Sequence, residues 1–227
     1  MTNAKKAKAQ RRQQGRRPPQ KKSSANVWLA IAAGVFVLIV IAVITTSGSG
    51  GDANEPSAEG SVSIDREPGP TLAAGEAIPD WSAPSLAGDG TIAWADYVGT
   101  PTVLAVWAPW CPHCQAELPR LVEALQTHPD VQLVTISTAV EQGGTGSQEY
   151  LDSVDLTIPV AVDDAETTLM QGLGVEGFPG TYFVNADGTV FTYVSGEIGL
   201  LPDGTVDEAV LDGMLGDLEA ASAAAGA

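Results

Sequence analysis

A strand that passes directly into a helix beginning with proline is the feature that most constrains the fold of this chain. Residues 102–107 (TVLAVW) are apolar or β-branched throughout, a pattern typical of a strand buried on both faces. Residues 112–126 begin with proline and then carry apolar side chains at spacings of three and four, which predicts a helix with one apolar face. A buried strand followed at once by such a helix indicates an α/β layer.

The residues that follow extend this layer. A second buried strand is predicted at 131–137, and an Asp-Gly turn between β-type runs predicts a hairpin of 181–185 with 189–195. Further helices are predicted at 147–154, 165–173 and about 206–220. We therefore expect one α/β domain over residues 75–220, followed by a disordered Ala-rich tail at 221–227.

Charge and hydropathy divide the chain ahead of that domain. Nine of the 11 Lys and Arg residues precede residue 26, whereas all 28 Asp and Glu residues follow Gly50. Residues 27–44 are 18 consecutive apolar positions, and as a helix they span ~27 Å, close to the hydrocarbon thickness of a bilayer. We predict a basic cytoplasmic arm at 1–26, a transmembrane anchor at 27–44 and a flexible, Gly- and Ser-rich linker at 45–74.

Two other interpretations of the N-terminal region are weaker. A cleaved signal peptide has an apolar region of ~7–15 residues and a small-residue cleavage site, whereas this apolar segment ends in TTSGSGG. A nucleic-acid patch is disfavoured because the arm adjoins a spanning segment, and the net charge of −17 excludes a simple nucleic-acid binder. We expect a single-pass cell-membrane protein whose acidic domain is extracytoplasmic and has no nucleic-acid partner.

The two cysteines of the chain, Cys111 and Cys114, lie where the strand ends and the helix begins. Pro112 suits the first helical position, which makes Cys111 the N-cap. There its sulfur faces free N–H groups and the positive end of the helix dipole, and both favour thiolate over thiol. His113 adds to this effect when it is protonated. Cys114 follows one turn later, close enough to form a disulfide with Cys111.

This arrangement predicts a dithiol/disulfide exchange centre, in which Cys111 forms a mixed disulfide with a substrate and Cys114 resolves it. A structural disulfide is disfavoured because so short a loop removes little chain entropy. A zinc site needs four N or S ligands, and beyond the cysteines the chain offers only His128 and His113, which lies within the pair. Inert core cysteines are disfavoured by the exposed turn expected here. His128 is expected to cap the C-terminal end of the helix.

Three ordered motifs resemble those of a known family. The string WAPWCPHCQAELP is similar to the W-C-x-x-C signature, followed by x-x-E-x-P, of the membrane-anchored TlpA/ResA/DsbE-like branch of thioredoxin-fold proteins. The preceding AIPDWSAPSLAGDGTIAWADYVG resembles that branch's lead-in, and GVEGFPGTYFVNADGTV resembles its G-V-x-G-x-P-x-T-[FY] stretch. The resemblance covers about 75–218. It implies a thioredoxin-like fold, a central mixed β-sheet flanked by helices, preceded here by a single N-terminal transmembrane helix.

The resemblance also implies roles for individual residues. Pro179 is expected to be a cis-proline that faces the disulfide, the alternative being an ordinary trans turn proline. Phe178 is expected to shape the substrate groove, and Trp110 to pack around the site together with Trp107, which could equally be plain core. Glu117 is expected to tune thiol protonation or relay a proton, the alternative being a solvated helix carboxylate.

Two departures from the family pattern bear on the chemistry. The buried acid that thioredoxins carry in the strand before the motif is replaced by Ala105, which leaves Glu117 as the candidate proton relay. The dipeptide Pro112–His113 resembles that of the oxidising DsbA enzymes, although the surrounding frame resembles the TlpA branch. Pro119 lies inside the helix, where it removes one backbone hydrogen bond and should kink the helix.

We therefore expect a thiol:disulfide oxidoreductase acting on cysteine-containing secreted or membrane-associated proteins, with a membrane redox partner that recycles it. It needs no cofactor beyond the redox-active Cys111–Cys114 disulfide. Pro-His slightly favours the oxidative direction, and reduction, for example of apocytochrome c cysteines, is the alternative. A peroxiredoxin would need Thr in place of Ala108, and a Sco-type copper protein would need C-x-x-x-C with a distant His.

Overall fold

The computed structural model describes residues 60–225. The predicted basic arm, the predicted anchor and the first part of the predicted linker lie outside the described residues, as does the end of the tail. Among the residues that are described, no helix is both long and apolar enough to cross a membrane.

The described chain alternates strands and helices as the sequence predicts. In chain order the strands are β1 (Ser63–Ile64), β2 (Trp81–Pro84), β3 (Thr91–Ala93), β4 (Thr102–Trp107), β5 (Gln132–Ser137), β6 (Val160–Val162), β7 (Gly180–Val184) and β8 (Val190–Ser195). The α-helices are α1 (Pro112–Leu125), α2 (Ser147–Ser153), α3 (Thr168–Leu173) and α4 (Glu208–Ala225). The sequence analysis missed β6, whose three residues are too few to show a period.

A five-stranded mixed sheet lies at the centre, in the order β6-β5-β4-β7-β8. Strands β4, β5 and β6 run parallel, and β7 and β8 are antiparallel neighbours on the other side of β4. The predicted mixed sheet flanked by helices is thus confirmed. The lead-in residues form a separate antiparallel sheet, β1-β2-β3, in which β2 and β3 are consecutive antiparallel neighbours.

The two faces of the central sheet bury different helices. Because side chains alternate along a strand, Val103 and Ala105 of β4 pack in a cluster with α4 residues such as Leu215. Leu104 and Val106 face the opposite way, into a cluster that includes α3 and the tryptophans of the lead-in. Burial on both faces explains why β4 is apolar at nearly every position.

The folded part of the chain is longer than the sequence predicts at both ends. The predicted linker ran to residue 74, but from Gly60 onward the chain packs: β1 pairs with β2, and Leu72 is buried in the core. Too few apolar residues occur here to show a pattern, because only Val62, Ile64 and Leu72 pack on the core and the other contacts, such as that of Thr71 with the Gly174 carbonyl, are polar. The predicted tail at 221–227 is also corrected, since α4 continues to Ala225.

Candidate active site

The first cysteine lies at the junction of β4 and α1, and its local geometry is the one predicted. Cys111 is the N-cap of α1 with extended backbone (φ −82°, ψ 116°), and Pro112 occupies the first turn. The Cys111 Sγ accepts a hydrogen bond from the backbone N–H of Cys114 at 3.3 Å. Both cysteines are free thiols in this structure. A sulfur that accepts from a helix N-terminus is stabilised as the thiolate.

The cysteines are less exposed than the sequence suggested. Cys111 retains 5% of its accessible surface and Cys114 none, so the expectation of an exposed turn is wrong for the sulfurs. The reason is tertiary: a cluster of buried side chains from β4, α1, α2 and β6 surrounds them, and Trp110 and Phe178 pack against it. The dipeptide between the cysteines, Pro112 and His113, is exposed.

Aromatic rings flank the site, as expected for Trp110 and Trp107. The Trp110 Nε1 donates to the Ala139 carbonyl at 2.7 Å, and its ring meets Phe178 edge to face with centroids 5.8 Å apart. Trp107 is fully buried in the same cluster as the cysteines, 5.6 Å from the ring of Tyr150. Trp107 is therefore both core and part of the site's lining.

Helix α1 runs through Pro119 without interruption. Because proline has no N–H, the carbonyl of Gln115 four residues earlier loses its helical partner. That carbonyl instead accepts a hydrogen bond from the Tyr150 hydroxyl at 2.9 Å. The tertiary contact therefore replaces the missing helical bond and ties α2 to the active-site helix.

Glu117 is 1% exposed, so the alternative of a solvated helix carboxylate is wrong. Its Oε1 accepts from the Thr181 hydroxyl at 2.9 Å, and its Oε2 accepts from the Ile198 N–H at 2.7 Å. Thr181 is the residue of β7 that pairs with Ala105 of β4. The structure thus places a buried carboxylate beside the strand position where thioredoxins carry one.

Burial raises the pKa values of the inner groups of the site. Desolvation raises the pKa of Cys114 well above its usual range, and the hydrogen bond with Cys111 and the nearby Glu117 raise it further. Desolvation also raises the pKa of Glu117, although its bonds from Ile198 and Thr181 and the nearby Arg120 oppose the shift. Burial raises the pKa of Tyr150 to about 12. The site therefore combines an N-capping sulfur with a buried resolving thiol and a buried acid.

The exposed His113 has a partner that the sequence did not reveal. Its Nδ1 lies 2.8 Å from the Oε2 of Glu197, which follows β8. The other oxygen of Glu197 accepts from Arg120 at 3.2 Å. Arg120 also contacts both carboxylate oxygens of Glu208 at 2.8 and 2.9 Å. The dipeptide between the cysteines is thus connected to a chain of charged groups that reaches α4.

The Phe178–Pro179 peptide bond is cis, as the resemblance implies. Pro179 is buried immediately before β7, and its carbonyl accepts from the Gly196 N–H at 2.7 Å. Phe178, next to it, packs against the cysteine cluster. The structure therefore brings together the predicted site residues Cys111, Cys114, Pro112, His113, Trp110, Glu117 and Phe178, and Pro179 follows Phe178 directly in the chain.

His128 does not cap α1 through its side chain, which corrects the sequence prediction. Its ring nitrogens contact Glu219 at 2.9 Å and Asp212 at 3.2 Å, both on α4. Acidic side chains of α4 lie opposite the end of α1, and an imidazole prefers a carboxylate to a peptide carbonyl. Within residues 60–225 no three His, Cys, Asp or Glu side chains are grouped so as to hold a metal ion.

Comparison with protein families gives a match to the AhpC/TSA family over residues 74–192, which is more than half of the chain. The chain belongs to the AhpC/TSA family. Its relatives in that thioredoxin-like family include thiol:disulfide oxidoreductases of the DsbE, ResA and sporulation types.

Two relatives illustrate the extent of the similarity. The soluble secreted antigen MPT53 of Mycobacterium tuberculosis is 34% identical over 95 residues, which cover 42% of this chain and 53% of that protein. The match therefore spans about half the length of that relative. The thiol-disulfide oxidoreductase ResA of Oceanobacillus iheyensis is 26% identical over 148 residues, covering 63% of this chain and 72% of the relative.

Solved structures give the same fold. A secreted disulfide oxidoreductase of Mycobacterium tuberculosis, described as homologous to DsbE of E. coli, is 30% identical with a TM-score of 0.50. It aligns with 60% of this chain and 95% of its own. A thiol:disulfide interchange protein DsbE of Chlorobium tepidum, 22% identical with a TM-score of 0.55, supports the fold alone and covers 65% of this chain and 99% of its own.

The sequence analysis did not identify three residues of the site: Thr181, Tyr150 and Glu197. Thr181 lies within the quoted G-F-P-G-T string, but nothing in that string assigns its hydroxyl to Glu117. Tyr150 and Glu197 belong to segments with no motif, and only the fold brings them to α1. An unpaired carbonyl four residues before Pro119 is the one sequence signal that calls for a donor such as Tyr150.

Proposed function

We propose that this protein is a membrane-tethered, extracytoplasmic thiol:disulfide oxidoreductase that exchanges disulfides with protein cysteines. The observation that carries the proposal is the Cys111 Sγ at the N-cap of α1, accepting from Cys114 N–H. This position presents a backbone N–H to the Cys111 sulfur, whereas burial raises the pKa of Cys114. Cys111 is thus placed as the attacking cysteine and Cys114 as the resolving cysteine, and thiol–disulfide exchange needs one residue in each role.

The chemistry follows in two balanced steps. In the oxidative direction a substrate thiolate attacks Sγ of Cys111 in the Cys111–Cys114 disulfide, the bond to Cys114 breaks, and Cys114 leaves as a thiolate that takes up a proton. A second substrate thiolate then attacks the substrate sulfur of the mixed disulfide and releases Cys111. The substrate loses two electrons and the cysteine pair gains them. Reduction of a substrate disulfide is the same sequence reversed.

The surroundings of the pair fit a polypeptide substrate. Pro112 and His113 are the exposed residues beside Cys111, and the Trp110–Phe178 pair forms an apolar wall next to them. Burial of Cys111 to 5% means that a substrate cysteine must be presented by a chain that fits closely against this surface. We propose cysteine-containing secreted or membrane-associated proteins as substrates, and a membrane redox partner that resets the pair.

Trapping of the mixed disulfide tests the proposal. Replacing Cys114 by Ser removes the resolving thiol but leaves Cys111, so the variant should accumulate a covalent complex with a disulfide-containing test protein. The complex should be released by dithiothreitol. The matched variant Cys111→Ser keeps the other cysteine and should trap little, because Cys114 is buried and protonated. Equal trapping by the two variants would refute the assignment of roles.

Oxidation is the direction that we propose, and His113 supports it, since an imidazolium near Cys111 favours the reduced, thiolate form and makes the disulfide a stronger oxidant. Reduction is the second candidate, and the Glu197 carboxylate beside His113 favours it by offsetting that charge. Equilibration of the full-length protein with glutathione buffers separates the two. A potential near ~−120 mV would identify an oxidant, and one near ~−270 mV a reductant.

The membrane anchor is proposed from the 18 apolar residues at 27–44 and the basic residues before them. Carbonate extraction of membranes, followed by sizing of the protein, tests it. An anchored protein stays in the pellet at its full length. A soluble product shortened by roughly fifty residues, the length of a segment that ends just after the apolar run, would show cleavage instead.

A further inference from the structure

The segment between β8 and α4 contacts both titratable neighbours of the cysteine pair. The Glu197 carboxylate reaches His113, the exposed residue between the cysteines, at 2.8 Å. The next residue, Ile198, donates its N–H to the buried Glu117 at 2.7 Å and accepts from Arg120 at 3.1 Å. These two adjacent loop residues thus contact three residues of the active-site helix: His113, Glu117 and Arg120.

Because the Glu197 carboxylate is buried, it depends on hydrogen-bond donors from neighbouring side chains. Its side chain is 6% exposed, while that of His113 is 56% exposed. A buried carboxylate needs a donor for each oxygen. Arg120 supplies one of them, but its guanidinium also pairs with Glu208 through shorter contacts. The second oxygen depends on His113, so the carboxylate and the imidazole determine each other's position.

We propose that Glu197 is a positioning residue that holds the His113 imidazole to itself and so limits how strongly that ring stabilises the Cys111 thiolate. This inference rests on the function proposed above. The Nδ1 is the ring atom that contacts Glu197. A ring held in this way offers less of its charge to the neighbouring sulfur than a ring that is free to turn. The cysteine pair is therefore a weaker oxidant than the Pro-His dipeptide alone would make it.

Other charged or titratable groups lie near the Glu197–His113 contact. At the N-cap and along α1 they are Cys111, Cys114, Glu117 and Arg120, and on α4 Glu208 contacts the same Arg120. Glu197 also raises the pKa of Glu117, although burial is the larger cause. A change at Glu197 could therefore act through Glu117, and the test must distinguish that route from the one through His113.

The test measures the equilibrium of the full-length protein in detergent with glutathione. The protein disulfide and two glutathione thiols give the protein dithiol and glutathione disulfide, with two electrons transferred. For Glu197→Gln we expect the equilibrium constant for reduction of the protein to rise about threefold at pH 6.0, where histidine side chains are mostly protonated. That change corresponds to ~14 mV. At pH 8.0, where they are mostly neutral, the rise should be smaller.

Glu208→Gln is the matched control. It removes the same charge from the same Arg120 but does not touch His113, and its carboxylate is 66% exposed. Its equilibrium constant should equal that of the wild type at both pH values. In a His113→Ala background, Glu197→Gln should no longer raise the constant. If circular dichroism shows that Glu197→Gln is unfolded, Glu197→Asp is measured in its place. The aspartate keeps the negative charge, but its side chain is one methylene too short to hold both His113 and Arg120. The equilibrium constant for reduction of the protein should therefore rise, as in Glu197→Gln.

Three results would overturn the proposal: no rise in Glu197→Gln at pH 6.0, an equal rise in Glu208→Gln, or an undiminished rise in the His113→Ala background. The last would show that Glu197 acts through Glu117 or directly on the cysteines. If instead the proposed function is wrong, the wild-type cysteine pair will not exchange with glutathione at all.

Discussion

Replacing Glu117 by Gln separates its role in proton transfer from its role in packing. The carboxylate is buried, and it accepts one hydrogen bond at each oxygen. It lies one helical turn after Cys114, and residues at this spacing have Cβ atoms ~5–6 Å apart. Cys114 must lose its proton before it can resolve a mixed disulfide, and burial opposes that loss.

The structure predicts that the Gln variant folds normally. Its amide oxygen can accept from the Ile198 N–H, while its NH₂ donates to the Thr181 hydroxyl, which is able to accept. Glu117→Ala is different, because it leaves the Ile198 N–H buried without a partner. An unsatisfied buried group costs about 1–3 kcal/mol of unfolding free energy, so the Ala variant should be destabilised by at least that amount.

The stability of the wild type should also depend on pH through this group. Because the pKa of Glu117 is raised in the folded state, the folded protein binds its proton more tightly than the unfolded chain does. The stabilisation is therefore complete below the unfolded value of ~4.3 and is lost as the pH rises through the folded pKa. Glu117→Gln lacks this loss, so its unfolding free energy relative to the wild type should increase from pH 4 to pH 8, measured by urea unfolding.

The kinetic assay follows the decay of a preformed mixed disulfide between Cys111 and a fluorescent peptide. If Glu117 accepts the proton of Cys114, the Gln variant should resolve the complex at least tenfold more slowly at pH 7, a modest effect for general base catalysis, which contributes ~10²–10⁴-fold. A rate within twofold of the wild type, with the same pH profile, would refute the reasoning and leave Glu117 a structural residue.

Three further predictions concern the surroundings of the site. A Cβ at Gly143 would clash with the side chain of Trp110, whereas a Cβ at Gly144 would meet nothing within 4 Å. Gly143→Ala should therefore lower the unfolding free energy by about 1–3 kcal/mol and alter tryptophan fluorescence. Equal urea midpoints for Gly143→Ala and Gly144→Ala would contradict this. Tyr150→Phe should lower the unfolding free energy by about 1–3 kcal/mol, because the Gln115 carbonyl loses the donor that replaces its missing helical partner. Adding Pro119→Ala should recover part of the loss by restoring the helical N–H, and no recovery in the double variant would disprove the explanation. Pairing with Glu219 and Asp212 raises the pKa of His128. The stability that this pairing adds is complete below the unfolded pKa of ~6.5 and is lost as the pH rises through the folded pKa. The destabilisation caused by His128→Gln should therefore be larger at pH 6 than at pH 9, and a pH-independent difference in urea midpoint would count against the ion pairs.

The sequence predicted the parts of the fold that depend on neighbouring residues. The period of the apolar side chains gave β4, β5, α1 and α2 to within a residue or two. Proline at the first helical position gave the N-cap at Cys111. Helix α3 begins later than predicted because the chain at Thr167 adopts a left-handed conformation (φ 58°) that ends any regular helix there.

The parts that the sequence could not predict join residues far apart in the chain. The exposure of the cysteines was misjudged because the side chains that cover Cys111 come from elements such as α2 and β6. The environment of Glu117 was left open between buried and solvated, since it depends on Thr181 and Ile198, which are 64 and 81 residues away. The side-chain partners of His128 lie on α4, 84 and 91 residues further on.

The sequence by itself therefore determined the order of the longer strands and helices from β4 onward, the position of the two cysteines at a helix N-terminus and the separation of basic from acidic residues. These follow from local backbone preferences and from charge, which do not depend on the rest of the fold. Only the tertiary structure decided which groups surround the cysteine pair. Strand register and the path of the β8–α4 loop bring Thr181, Ile198 and Glu197 to α1, and a shift of one residue in a strand would turn its side chains to the opposite face.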